Sequence, residues 1–177
     1  MSYGAFHDEF KVEIGKLAIE INGKITDGKG EYSYPNCIGK FNEKTIDIEM
    51  FWEVGATFLK IYLCSDFLLN LTVEKETIVS RVVEKLGMDT EPTLDRTTVP
   101  ESFNAQYQIT GKPEQKIKEF LSKREVIKEI KLLEPFTRLT IKNTLIFSKH
   151  FVNSKDDFKA ARMMQIIRSL HTLSKLS

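Results

Sequence analysis

The residues of this chain with the means to carry chemistry are few and scattered. Gly23-Lys24-Ile25-Thr26-Asp27-Gly28-Lys29-Gly30 reproduces the Gly-x4-Gly-Lys part of a phosphate-binding loop, in which successive amides and a lysine hold phosphate oxygens. Its surroundings do not suit that chemistry. Gly30 stands where a Ser or Thr would coordinate magnesium, and Glu31-Tyr32-Ser33-Tyr34-Pro35 cannot form the helix whose N-terminus would face the anion. A flexible Gly/Lys turn accounts for these residues, and no cofactor is expected.

The three histidines, His7, His150 and His171, fall on separate elements. A catalytic histidine needs a nucleophile or an orienting carboxylate within hydrogen-bond reach, and spacing identifies neither. No local ligand pair suggests a metal. Cys37 and Cys64 match no metal or redox spacing. They read as inert, small apolar residues of a reducing, cytoplasmic setting. Asp156 and Asp157 suit a helix start, where carboxylates answer the helix dipole. No catalytic, cofactor-binding or metal-ligating residue is therefore assigned. An enzyme is the alternative, and it requires that polar groups such as His7, Glu53 or Asp66 converge in the fold.

Two features point to binding. Met50-Phe51-Trp52-Glu53-Val54 sets adjacent large side chains on opposite faces of a strand, so Phe51 or Trp52 is a candidate contact for a protein partner or a second copy. Charge is also unevenly spread. Residues 135–177 hold eight basic and two acidic residues, against 18 basic and 23 acidic in 1–134. Lys155, Lys159, Arg162 and Arg168 are candidate anion contacts, for nucleic acid or a membrane surface. A solvated basic face is the plainer account, because the nearby Phe136, Phe147 and Phe151 read as core rather than as stacking platforms.

The elements that must position these residues follow from periodicity. Phe6, Phe10, Ile14, Leu17, Ala18 and Ile21 recur at helical spacing and end at Asn22-Gly23. Residues 23–36 read as a loop. Strands are expected at 37–41, 45–51, 56–64 and 67–72, with breaks short enough for antiparallel hairpins. Ile78, Val79, Val82, Val83 and Leu86 mark a helix closed by Gly87, and 88–101 form a connector. A strand at 103–110, a helical stripe from Pro113 to Leu133 broken near Ser122, and a hairpin around Lys142-Asn143 come next. Ser154 then opens a last helix, with Phe158, Ala161, Met164, Ile167 and Leu170 inward.

At 177 residues, with 41% hydrophobic residues and twelve Phe, the chain is read as one domain spanning 1–177, with 88–101 as the only candidate for an internal boundary and neither flank self-sufficient. The net charge of +1 excludes a globally basic nucleic-acid binder. Phe58–Leu71, the most apolar stretch, is too short and too polar to span a membrane. Hairpins segregated from helices give an α+β class, an antiparallel sheet with helices packed on one face.

Leu86-Gly87, Phe103-Asn104-Ala105-Gln106-Tyr107, Gly111-Lys112-Pro113-Glu114, the 136–149 hairpin and the helix after Ser154 together resemble a family of uncharacterised prokaryotic domains. In that family a helix ends in Leu-Gly, a Phe-Asp-x-x-Phe strand follows, and a Gly-x-Pro-Glu turn opens a helix. Asn104 departs from the pattern's Asp. The resemblance implies a fold and no activity, substrate or catalytic residue. The function read from the sequence is thus a non-catalytic interaction or accessory domain, acting through protein contact or self-association.

Overall fold

Alternation of apolar and polar residues sets which strand face is buried, and most of the strands here follow it. The computed structural model describes residues 6–28, 33–75 and 106–177. Helix α1 (His7–Glu20) precedes β1 (Lys24–Thr26), β2 (Asn36–Phe41), β3 (Lys44–Glu53), β4 (Ala56–Cys64) and β5 (Asn70–Lys75). Then come β6 (Tyr107–Lys112), α2 (Glu114–Ser122), α3 (Arg124–Leu132), β7 (Arg138–Lys142), β8 (Leu145–Phe151) and α4 (Ala160–Leu176). The strands form one antiparallel sheet in the order β1-β2-β3-β4-β8-β7-β5-β6. The α+β class and the antiparallel sheet are as the sequence indicates.

The helical layer rests on one face. Ile46, Ile48, Leu59, Ile61, Leu63, Leu139 and Ile146 from the strands are fully buried, as are Phe10, Ile14, Leu17, Ile166, Ile167 and Leu170 from α1 and α4. Each such aliphatic side chain is worth about 1.5–3 kcal/mol when removed from water. Asn22, in the left-handed region at φ 47, ends α1, and the Gly23 amide donates to the Ala18 carbonyl at 2.7 Å. The helix end is stitched to the sheet where the Lys40 amide donates to the Ile21 carbonyl at 2.7 Å. A Cβ at Gly39 would lie 2.7 Å from that same carbonyl oxygen, so only glycine lets β2 approach so closely.

Several boundaries depart from expectation. Lys24–Thr26 form an edge strand paired with β2 instead of belonging to a loop. The 67–72 strand begins at Asn70, because Phe67 and Leu69 are spent in burial before pairing starts. Pro113 is an extended N-cap, with Glu114 the first helical residue. Ser154 does form a capping box with Asp157, but on a short 3-10 turn at Lys155–Phe158, and α4 starts anew at Ala160. The expected helix at 78–87, the 88–101 connector and Phe103 lie outside the described residues.

Candidate functional site: the open face of the sheet

Side chains on the face away from the helices form rows across the strands. One row is aromatic, Phe51–Phe58–Phe151. The next is charged, Glu49–Lys60–Lys149–Arg138–Glu74. A third runs Asp47–Tyr62–Phe147–Thr140–Thr72–Thr110. Phe51, Phe58, Tyr62 and Phe147 are half-buried, and Phe151 is 37% exposed.

The rows interlock through their cations. The Lys149 ammonium lies 4.0 Å from the Phe58 ring centre and 5.3 Å from that of Phe51. Lys60 lies 4.4 Å from the Phe147 ring centre and 4.7 Å from that of Tyr62. Such contacts are worth about 0.5–1 kcal/mol each at exposed sites. Lys149 also pairs with Glu53 and Arg138 with Glu74, while the Tyr62 hydroxyl donates to Glu49 at 3.1 Å. Burial, with Glu49 beside it, pushes the Tyr62 phenol far above its usual range, so it remains a donor. Burial lowers the Lys60 ammonium, an effect that Glu49 opposes and that Lys149 and Arg138 reinforce. The hydrogen bond from Lys149 holds the Glu53 carboxyl low.

The hairpin tip beside this face is strained. Val54 has φ 48 and Gly55 φ 80, the paired left-handed residues of a tight two-residue turn. Gly55 suits that conformation and a β-branched valine does not. Val54 is 98% exposed, so packing gives no reason for it.

The sequence-marked residues are distributed as follows. Phe51 lies in the aromatic row, whereas Trp52 is half-buried on the helix-facing side. Phe147 and Phe151 belong to the open face and are not core, unlike Phe136, which is buried. Cys37 is buried but Cys64 is exposed, contrary to the reading of both as small apolar residues. Lys155 pairs with Glu9 at 2.6 Å and Lys159 with Asp156 at 2.6 Å. Arg162 donates to the Leu132, Leu133 and Glu134 carbonyls, closing the end of α3, and Arg168 is exposed on α4. Lys24–Thr26 of the phosphate-loop look-alike are strand, and Gly30 lies outside the described residues.

The polar groups on which an enzyme would depend do not meet. His7 starts α1, Glu53 ends β3 on the open face, and Asp66 follows β4 at that strand's far end. No group of three metal-ligating side chains occurs among the described residues. A nucleophile–base pair that spacing did not reveal is present on β8, where Ser148 Oγ and His150 Nε2 are 2.9 Å apart. Nδ1 of His150 lies 2.9 Å from the Pro135 carbonyl. That carbonyl can only accept, so Nδ1 carries the proton and Nε2 accepts from Ser148. Ser148 is fully buried and His150 3% exposed, so the pair is sealed beneath the helical layer. It is a core hydrogen-bond chain.

No family model and no curated protein sequence matches the chain. The crystal structure of the mycobacterial trehalose monomycolate transport factor A, TtfA, is similar in fold, with a TM-score of 0.60 over 94% of this chain and 93% of that one. Sequence identity is 9%, so the likeness is one of fold alone. The Gly111-Lys112-Pro113-Glu114 turn does lead from β6 into α2. A Cβ on Gly111 would come 2.1 Å from the Asn70 carbonyl oxygen, which explains why glycine stands there. Among the described residues no helix is long and apolar enough to cross a membrane.

Proposed function

We propose that this chain is a non-catalytic interaction domain that receives a protein partner on the open face of its sheet. The observation that carries the reading is the Phe51–Phe58–Phe151 row, half-exposed, with the Lys149 ammonium lying on two of its rings. Exposed aromatic side chains are the groups that anchor protein contacts. The exposed, strained Val54 at the hairpin tip beside this face supports it. Holding a β-branched residue in the left-handed region costs about 1–2 kcal/mol, and that cost has a purpose if the side chain meets a partner. The shared fold belongs to a protein named as a transport factor, which agrees with an accessory role here.

Folding and recognition separate at Val54. Val54→Asn places before Gly55 a residue suited to the turn, so the variant melts higher while losing its contact. A photo-crosslinking side chain installed at Phe151 in cells is expected to give a discrete adduct that Val54→Asn abolishes. The same group at Arg168 on α4 is expected to give none. An adduct at twice the chain's mass makes the partner a second copy. The proposal fails if no adduct forms at Phe151, if both positions give the same products, or if Val54→Asn leaves the adduct intact.

A further inference from the structure

The other half of the same face carries a different chemistry. Thr110, Thr72 and Thr140 stand side by side on β6, β5 and β7 in exact cross-strand register. With Asn70, Lys112 and Lys142 they line a hollow of about 380 Å³. That is within the range of small-ligand sites, roughly 300–1,000 Å³. Adjacent strands space the three hydroxyls about 5 Å apart, and β-branching restricts how each can turn.

Among the described residues these polar groups have no internal partner. None of the six makes a side-chain hydrogen bond or ion pair with another described residue. Thr140 is only 5% exposed, yet its hydroxyl is not sealed away. Among the described residues Thr57 Oγ1 alone is both buried and unpaired. Among the described residues no carboxylate lines the hollow, and Glu74, the acid further along β5, is held by Arg138. Among the described residues the hollow thus presents three hydroxyls, one amide and two ammonium groups, with Leu71, Gly111 and Ile141 beside them and no counter-charge.

We propose that this hollow binds the phosphate group of a small phosphorylated molecule. Phosphate offers acceptor oxygens to two neighbouring threonine hydroxyls of the row, and its charge of about −1.5 to −2 matches Lys112 and Lys142. The volume exceeds that of a bare phosphate, since one water takes about 30 Å³ of liquid, so an organic group accompanies it. The site is independent of the aromatic docking face: it rests on other residues and other interactions.

Titration of the whole chain with inorganic phosphate and with glycerol phosphate, followed by amide NMR, tests the assignment. Saturable shifts are expected around Thr72, Thr110 and Thr140, with half-saturation near or below about 1 mM. Glycerol phosphate is expected to bind more tightly than phosphate, and glycerol to cause no shifts. Lys112→Gln with Lys142→Gln is expected to weaken binding about tenfold or more, and the isosteric Thr140→Val by roughly threefold. Val54→Asn is expected to leave the titration unchanged, which separates this site from the docking face. Shifts that do not saturate, that centre elsewhere, or that survive the double lysine substitution overturn the proposal. Equal binding of citrate at matched ionic strength overturns the choice of phosphate.

Discussion

Ile61 and Lys60 are neighbours on β4, and they belong to two different materials. The face holding Ile61 is mainly aliphatic, largely buried and pressed beneath α1 and α4. The face holding Lys60 is built of half-exposed rings and of ammonium groups laid across them. An antiparallel sheet can leave one face to solvent, and folding then places few demands on what that face contains. Aliphatic residues on the inner face suffice to hold the fold. Rings and cations on the outer face exceed what solvation asks for, and this is why function is assigned there.

The largest consequence of this division is a difference in stability between adjacent residues. Ile61→Ala opens a cavity in a fully buried site and is expected to cost about 2–5 kcal/mol. Lys60→Ala, one residue away, gives up exposed cation–ring contacts and is expected to cost no more than about 1 kcal/mol. Urea unfolding of the two variants measures both. A Lys60→Ala loss as large as that of Ile61→Ala would make the outer face a second core and end the distinction.

Acid provides the next test, because the inner face holds a histidine. Burial pushes His150 down to about 4, with Arg162 lowering it further while the Pro135 carbonyl and Asp157 act in the other direction. The unfolded chain binds a proton near pH 6.5, so as the pH falls the unfolded state is protonated first. The stability linked to neutral His150 is complete above about pH 6.5, declines towards pH 4, and changes no further below it. The loss is about 3 kcal/mol. His150→Gln cannot titrate and keeps a donor and an acceptor for Pro135 and Ser148. Between pH 6.5 and 4 its unfolding free energy is expected to fall less than that of the parent chain. Parallel curves would show that His150 is not the group responsible.

The same histidine explains where the sequence stops being readable. Elements defined by long periodic runs were recoverable: α1 from its Phe10–Ile14–Leu17–Ala18 stripe, and β4 to the residue. Which face of β8 turns inward was not. Its inner positions are Ile146, Ser148 and His150, and its outer ones Leu145, Phe147, Lys149 and Phe151. Local hydrophobicity therefore assigns the faces the wrong way round, and Phe147 and Phe151 read as core. Only pairing with β4, where Leu59 and Ile61 face inward opposite His150 and Ser148, decides the matter. Phe51 could be marked because it has Trp52 beside it. The threonine row could not, since Thr72, Thr110 and Thr140 are far apart in sequence and meet only through the strand order β7-β5-β6. Lys155, Lys159 and Arg162 are basic in sequence, but in the fold their charges are answered by Glu9, Asp156 and the carbonyls at the end of α3.

The smallest effect concerns what holds the outer face together. Lys149 contacts the Phe58 ring and also pairs with Glu53, so its loss alone mixes two interactions. A double-mutant cycle with Phe58→Leu and Lys149→Met isolates the ring contact, with an expected coupling of about 0.5–1 kcal/mol. A second cycle with Glu53→Gln isolates the ion pair, where an exposed pair is worth about 0.2–1 kcal/mol. Salt distinguishes them. Raising ionic strength to about 1 M shortens the screening length to about 3 Å, which should shrink the Glu53 coupling more than that of the half-buried Phe58. Urea unfolding at both salt concentrations gives the two couplings. If the Phe58 coupling is zero, or collapses with salt as fast as the ion pair, the rings and cations are merely adjacent. The outer face would then be an ordinary solvated surface, and its distinction from the inner face would be one of burial alone.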